Sequence, residues 1–444
     1  MEGKKILIAS VPAEGHVNPM TGLAKYLQSI GCDVRWYTGG SYAPKMEKLN
    51  IPLFPYKRAL DVSAINPDEV FPEREKIKGQ VKKLVHDMIH IFIKQGPNFI
   101  DDMRDIRKTF AFDVVVAECT FSAIPLIKKV FGVPVVGIGI IPLTEVSRDL
   151  PPMGLGMTPS STIAGKLKQS VLRLFTNEVF FRKPNIESQR ILKSYGVEMP
   201  RTNVFDLSVK GADVYLQSGT PGFEYTRSDM GKNIRFIGAL LPYASGEKNT
   251  GWYSEKITRY KSIVLVTQGT VENDPKKLFI PALEAFRNTD TLVICTTGGS
   301  QTNELRARFP HDNIIIEDFI SFNDVMPYVD VYITNGGYGG VMLGIQHALP
   351  MVAAGVHEGK NEICARIGYF NVGINLRTEF PSPVQIRTSV EKILADGKYK
   401  ENVSALANEF KLYHPGQLAA GYIAALLAKQ RGSERTLVQK DAAA

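Results

Sequence analysis

DVYITNGGYGG, residues 330–340, is the stretch from which the fold is read. DVYIT is a short apolar run of strand type. Four glycines then occupy the five positions after Asn335, and a helical pattern follows. A strand that passes through a glycine turn into a helix is the first half of a βαβ unit. Glycine leaves room for backbone N–H groups to approach a phosphate, and the helix start adds partial positive charge. That charge stabilises an anion by ~0.3–1 kcal/mol at an exposed site. A bare β–α turn needs only two glycines, so the extra pair points to phosphate. GGYGG lacks the Lys-Ser/Thr ending of a P-loop and the G-x-G-x-x-G spacing of a dinucleotide site. Both points count against nucleotide hydrolysis and hydride transfer.

Working outward, the same half opens with KSIVLVTQGT (261–270), a strand running into a turn. There Gly269 and Thr270 offer an amide and a hydroxyl to the same phosphates. A helical stretch (276–288), the strand TLVICTTGG (291–299) and later LPMVAAG (349–355) complete the plan. The first half repeats it: KKILIAS, the loop VPAEGHVNP, a helix over 20–30, CDVRWYT (32–38), then DVVVA (113–117) ending at Glu118, and GVPVVGIG (132–139). The intervals from Asp113 to Pro134 and from Asp330 to Pro350 nearly match. Strands alternating with helices imply parallel sheets covered on both faces, with ligands beyond the carboxyl ends of the strands. The expectation is an α/β protein of two Rossmann-like, doubly wound parallel-sheet domains facing across a cleft. The first domain takes 1–242, a polar linker 243–260, and the second 261–432, whose last helix can pack back on the first. The polar segment 433–444 is expected to be disordered.

Bulk properties narrow the classes. The chain has 444 residues, is 44% hydrophobic and 22% charged, and has room for two cores. No run reaches the ~18 apolar residues of a membrane span. The start reads as a strand rather than a secretory signal, so a cytoplasmic protein is expected. The four cysteines are far apart in sequence, which suits buried thiols rather than a disulfide framework. The net charge of +8 is spread among acids, as in PEREKIKGQVKKL, so no nucleic-acid partner is expected. His86 and His90 stand four apart, a spacing that can bind zinc. No third ligand is evident, and a plain helix face is the simpler reading.

With these residues in place, the chain resembles the family-1 glycosyltransferases of the GT-B fold. The resemblance rests on AEGHVNPMTGLAKYL, PPMGLGMTP, RFIGAL and the block DVYITNGGYGG…LPMVAAG…EGKNEICARI, in that order. It implies a catalytic histidine at His16, which an imidazole near neutral pKa suits. It implies Glu118 as the partner that holds the imidazole tautomer, where the family commonly has aspartate. A strand-end cap is an equal reading of Glu118. The donor site implied comprises Gly269, Thr270, Phe319 stacking on the base, Ile320 reading its edge, Asn335, Gly336, Gly337, Tyr338, Gly339 and Gly340. Glu358, Gly359 and Lys360 complete it beside the sugar. Asn335 replaces the family's histidine, Leu343 replaces its ribose-binding glutamate, and Gly359 replaces its sugar-reading amide. The implied reaction is inverting transfer of a hexose from a UDP- or dTDP-sugar to a small, aromatic or polyketide-like hydroxylated acceptor. No cofactor and no metal are expected, because the helix start neutralises the leaving group. Two other readings fit the altered donor positions: an auxiliary protein that activates a partner glycosyltransferase, and a sugar-nucleotide epimerase.

Overall fold

The computed structural model describes residues 1–200, 202–243, 251–269 and 272–441, with backbone only at Gln80 and over 431–441. Strands β1 (Lys5–Ala9), β2 (Asp33–Thr38), β3 (Leu53–Pro55), β4 (Val114–Glu118), β5 (Val135–Gly139), β6 (Val214–Gln217) and β7 (Ile234–Phe236) form one sheet. Its order is β3-β2-β1-β4-β5-β6-β7. Strands β8 (Ser262–Thr267), β9 (Thr291–Thr296), β10 (Ile314–Glu317), β11 (Val331–Thr334), β12 (Met351–Ala353) and β13 (Gly373–Asn375) form the second. Its order is β10-β9-β8-β11-β12-β13. Every pairing within the two sheets is parallel.

The sequence dictates this directly. Ile6 to Ala9, Val114 to Ala117 and Val264 to Val266 are wholly buried, because helices cover both faces of each sheet. Each sheet therefore separates two apolar clusters, one on either side. In both sheets the chain order reverses at the central strands, β1/β4 and β8/β11. Such switch points open a crevice beyond the strand ends. All four cysteines are buried as free thiols.

The last helix, Pro415–Asp441, leaves the second domain and packs on the first. Its Ala419, Ala420, Ile423 and Leu427 belong to the same cluster as Ile6, Met20 and Leu23. A Cβ on Gly416 would collide with the Tyr26 ring, so the close crossing requires glycine there. This helix runs on to Asp441, where the sequence suggests a structureless tail from 433. Ser433–Asp441 contains no glycine or proline, so a helix already nucleated upstream propagates through it. Residues 442–444, Thr270 and the linker positions 244–250 lie outside the described residues. Among those described, no helix is long and apolar enough to cross a membrane.

Candidate functional site

The first cluster sits at the carboxyl edge of the first sheet. Strands β1 and β4 are neighbours with Ala9 opposite Ala117, so Ser10 and Glu118 leave the sheet side by side. The helix Glu14–Ser29 starts just beyond β1 and places His16 in its first turn. There Nδ1 of His16 lies 3.2 Å from Oε2 of Glu118. The extra methylene of glutamate still brings the carboxylate to the ring. Glu118 is fully buried. Its Oε1 accepts the Val11 N–H at 3.1 Å and the Thr120 hydroxyl at 2.7 Å, and its Oε2 accepts the Thr120 N–H at 2.7 Å.

This network fixes the imidazole tautomer. The Thr120 hydroxyl gives its one proton to Glu118, so its oxygen can only accept from His16 Nδ1, 3.1 Å away. Nδ1 therefore carries the proton and Nε2 keeps its lone pair. Burial pulls the His16 pKa down, but the charge and hydrogen bond of Glu118 outweigh it and the net shift is upward. Burial works equally against the Glu118 carboxylate, and the His16 charge with the His16 and Thr120 hydrogen bonds holds it below its ordinary value. Thr120 was not legible as a member. Its one signal is a hydroxyl two residues past a strand-end carboxylate.

The second cluster lies at the carboxyl edge of the second sheet. Strands β8 and β11 pair with Thr267 opposite Thr334, which sets Gln268 and Gly269 beside Asn335. The Asn335 amide nitrogen donates to the Gln268 carbonyl, and its oxygen accepts the Gly337 N–H at 3.3 Å. The side chain thus braces the loop from within, where the sequence suggests a donor aimed at phosphate. Gly336 has φ of 78°, and a Cβ there would strike the Cys364 sulfur. Gly355 approaches the Asn335 carbonyl too closely for any side chain. The helix Tyr338–Gln346 then begins, with Gly337 as N-cap and no side chain capping it. The first-turn amides, at Tyr338, Gly339 and Gly340, have no intrahelical acceptor.

The remaining donor positions divide. Phe319 is 77% exposed beside Gly299, so it is no core residue and its ring is open to solvent. Ile320 is buried in the second domain's core. Leu343 packs against that core too, which explains why an apolar residue stands there. Glu358 sits at a positive φ of 55° before Gly359 and pairs with Lys360 at 2.8 Å. The Lys360 stem runs alongside Gly336 and Gly355. Glu379 accepts the N–H groups of Val356 (2.6 Å) and His357 (2.9 Å), which shapes the loop carrying Glu358. Tyr338 also reaches out of the loop through its side chain. Its hydroxyl donates to the Ser218 carbonyl of the first domain at 2.7 Å.

That bond is one of several that tie the domains together. Glu362 Oε1 accepts the N–H groups of Gly154 (2.8 Å) and Gly156 (2.9 Å), from the PPMGLGM loop. Arg366 reaches Glu224 at 2.7 Å and lies over the Tyr225 ring at 4.2 Å, with both charged groups buried. Glu224 and Arg366 lie 142 residues apart in the chain, and no local pattern announced the pair.

The comparisons with known proteins agree with this architecture. The family described as "Erythromycin biosynthesis protein CIII-like, C-terminal domain" matches residues 281–417. The chain is 32% identical over 409 residues to 4'-demethylrebeccamycin synthase of Lentzea aerocolonigenes, covering 92% of this chain and 96% of that one. It is 30% identical over 425 residues to UDP-glycosyltransferase 2 of Phaeomoniella chlamydospora, covering 91% and 92%. Among solved structures, the calicheamicin glycosyltransferase CalG4 superposes with a TM-score of 0.72 at 19% identity, over 96% of this chain and 99% of that one. Fold and relatives together define a glycosyltransferase. Within that class the chain belongs to the family-1 glycosyltransferases with the GT-B fold.

Proposed function

We propose that the protein transfers a hexose, with inversion, from a UDP- or dTDP-sugar to a hydroxyl of a small aromatic or polyketide-like acceptor. The observation that carries this reading is the Glu118–Thr120–His16 network, which leaves His16 Nε2 free to take a proton. His16 removes the acceptor proton through Nε2 as the oxygen attacks the anomeric carbon opposite the leaving diphosphate. Glu118 stabilises the imidazolium formed, and Thr120 holds the ring against rotation. The diphosphate rests against the amides of Tyr338, Gly339 and Gly340 and the Lys360 ammonium, which stabilise charge as it develops. These groups supply the positive charge a divalent ion would otherwise bring, so catalysis needs no metal. Phe319 stacks on the pyrimidine, and Glu358 accepts from a sugar hydroxyl. The names of the curated relatives, a rebeccamycin synthase and a UDP-glycosyltransferase, support a nucleotide-sugar donor and a natural-product acceptor.

The test is product analysis with UDP- and dTDP-glucose over a panel of phenols, with a donor-alone control. A glycoside of inverted anomeric configuration is the expected product. Conversion of the donor without acceptor would instead indicate an epimerase. Turnover only with a partner protein would indicate an auxiliary protein.

The acidic limb of kcat/KM reports protonation of the free base. His16 is raised above the ordinary ~6.5 of histidine, so activity should fall as pH drops through a point above that value. A Thr120→Val variant should keep its fold and donor affinity yet move this limb, because the ring loses one fixed partner. A profile identical to wild type would remove Thr120 from the mechanism.

Base stacking contributes ~1–3 kcal/mol per base in single-stranded nucleic-acid sites. Phe319→Ala is therefore expected to raise the donor KM about five- to a hundredfold with a smaller change in kcat. An unchanged donor KM would place the base elsewhere.

A further inference from the structure

The helix Ile163–Phe175 is turned inside out. At 3.6 residues per turn, Ile163, Leu167, Val171, Leu174 and Phe175 share one face. They are between 48% and 88% exposed. The opposite face carries Gln169, which is buried and bound by its amide to the Thr158 carbonyl (2.8 Å) and the Ser160 N–H (3.3 Å). The polar face is thus anchored to the domain and the apolar face is presented outward, the reverse of an ordinary surface helix. Lys166 and Lys168 flank the stripe, one on each side, and the helix contains no acidic residue. Val179 and Phe180 continue the patch beyond the helix end.

We propose that this face docks on an anionic phospholipid bilayer, lying in the interface with its lysines reaching the headgroups. An apolar stripe bordered by lysines is the pattern of interfacial helices, and long lysine stems let the charge stay in the headgroup layer. Apolar depth and lysine charge act together there, because anionic headgroups draw basic residues to the surface. A second copy of the same chain would instead bring lysine against lysine across the paired stripes.

The experiment is co-sedimentation of the full chain with vesicles of phosphatidylglycerol and of phosphatidylcholine. Binding to the anionic vesicles is expected, with weaker binding to the neutral ones and release at high salt. Leu167→Gln with Val171→Gln should weaken the partition by about tenfold or more. Lys166→Gln with Lys168→Gln should remove the preference for anionic lipid. Unaltered nucleotide-sugar binding by the variants shows that they are folded. Failure to bind anionic vesicles would overturn the proposal, as would binding insensitive to the Leu167/Val171 change. So would a solution dimer that this change dissociates.

A separate cluster carries a second inference. Glu73, His86 and His90 each offer a ligand atom, and all three lie within 4.8 Å of one another. The His86 and His90 rings stack at 4.4 Å, with Phe71 edge-on to both. Nε2 of His86 faces Glu73 Oε1 at 3.3 Å, while its Nδ1 faces Asp87 at 3.4 Å. Asp87 is held in turn by Arg74, the pair meeting at 2.6 Å. A carboxylate behind a histidine orients metal-ligating imidazoles. We infer a site for zinc or a similar borderline divalent ion, with Glu73 as the third ligand that the sequence did not reveal. It would clip the segment around 73 to the helix Gln80–Asp87. Titrating tag-free protein with Co²⁺ should give a saturable visible absorption at one ion per chain. His90→Ala and Glu73→Gln should each weaken it about tenfold or more. Absence of a saturable signal, or one unaffected by His90→Ala, would overturn the assignment.

Discussion

Replacing His16 with alanine is expected to lower kcat about 10²–10⁴-fold, the contribution typical of a positioned general base. The bound nucleotide-sugar should hardly notice. Its proposed contacts come from the second sheet's edge, whereas His16 stands at the end of β1 in the first domain. The loss should therefore appear in kcat and in kcat/KM for the acceptor, while the donor dissociation constant stays within about twofold. Steady-state kinetics together with calorimetric titration of the donor separates the two. A variant that turns over at the wild-type rate would remove His16 from the chemistry. Glu118→Gln should also lose activity, because the position sets the imidazole tautomer. A glutamine amide can donate to Nδ1, which stabilises the wrong tautomer and withdraws the lone pair from Nε2. Its fold should stay intact.

Arg366→Met is expected to cost about 3–5 kcal/mol of stability, the usual effect of removing one partner from a buried ion pair. The guanidinium binds Glu224 across the domain boundary, stacks on Tyr225 and also donates to the Glu362 backbone carbonyl at 3.0 Å. Without it Glu224 remains buried, with Arg227 as its nearest cation at 3.5 Å. Burial pushes the Glu224 carboxyl up, and the charges of Arg366 and Arg227 outweigh that and hold it below its ordinary value. A depressed carboxyl stabilises the fold above its unfolded pKa of ~4.3, and this contribution is lost as pH falls through the folded value. The wild type should therefore weaken in acid more steeply than Arg366→Met. Denaturant midpoints across pH measure both effects. An unaltered midpoint at neutral pH would mean that the pair is not holding the domains.

Much of this was legible in the chain. DVYITNGGYGG and DVVVAE specify strands buried on both faces, and the matched intervals around Asp113 and Asp330 announce two copies of one plan. His16 and Glu118 could be named through the family resemblance, and Glu118 also because it ends a strand, where parallel sheets expose their edge. What stayed hidden depends on contacts between distant segments. Asn335 reads as a phosphate donor by position, yet the neighbouring Gln268 carbonyl takes its amide. Tyr338 reads as part of the glycine loop, yet its hydroxyl crosses to Ser218. Glu73 completes a histidine pair only because the chain folds back on the helix that carries His86. The tail beyond Gly432 reads as structureless by polarity, since composition does not register that a helix is already running into it.

The crossing of the final helix has a consequence for how the protein is made. Part of the apolar interior of the first domain, Ala419 to Leu427, is translated after the whole second domain. A nascent chain released from the ribosome at residue 243 would expose Met20, Leu23 and Leu27 where those side chains belong. Chimaeras that exchange domains should therefore carry residues 415–430 with the amino-terminal half, and those cut simply at the linker should aggregate.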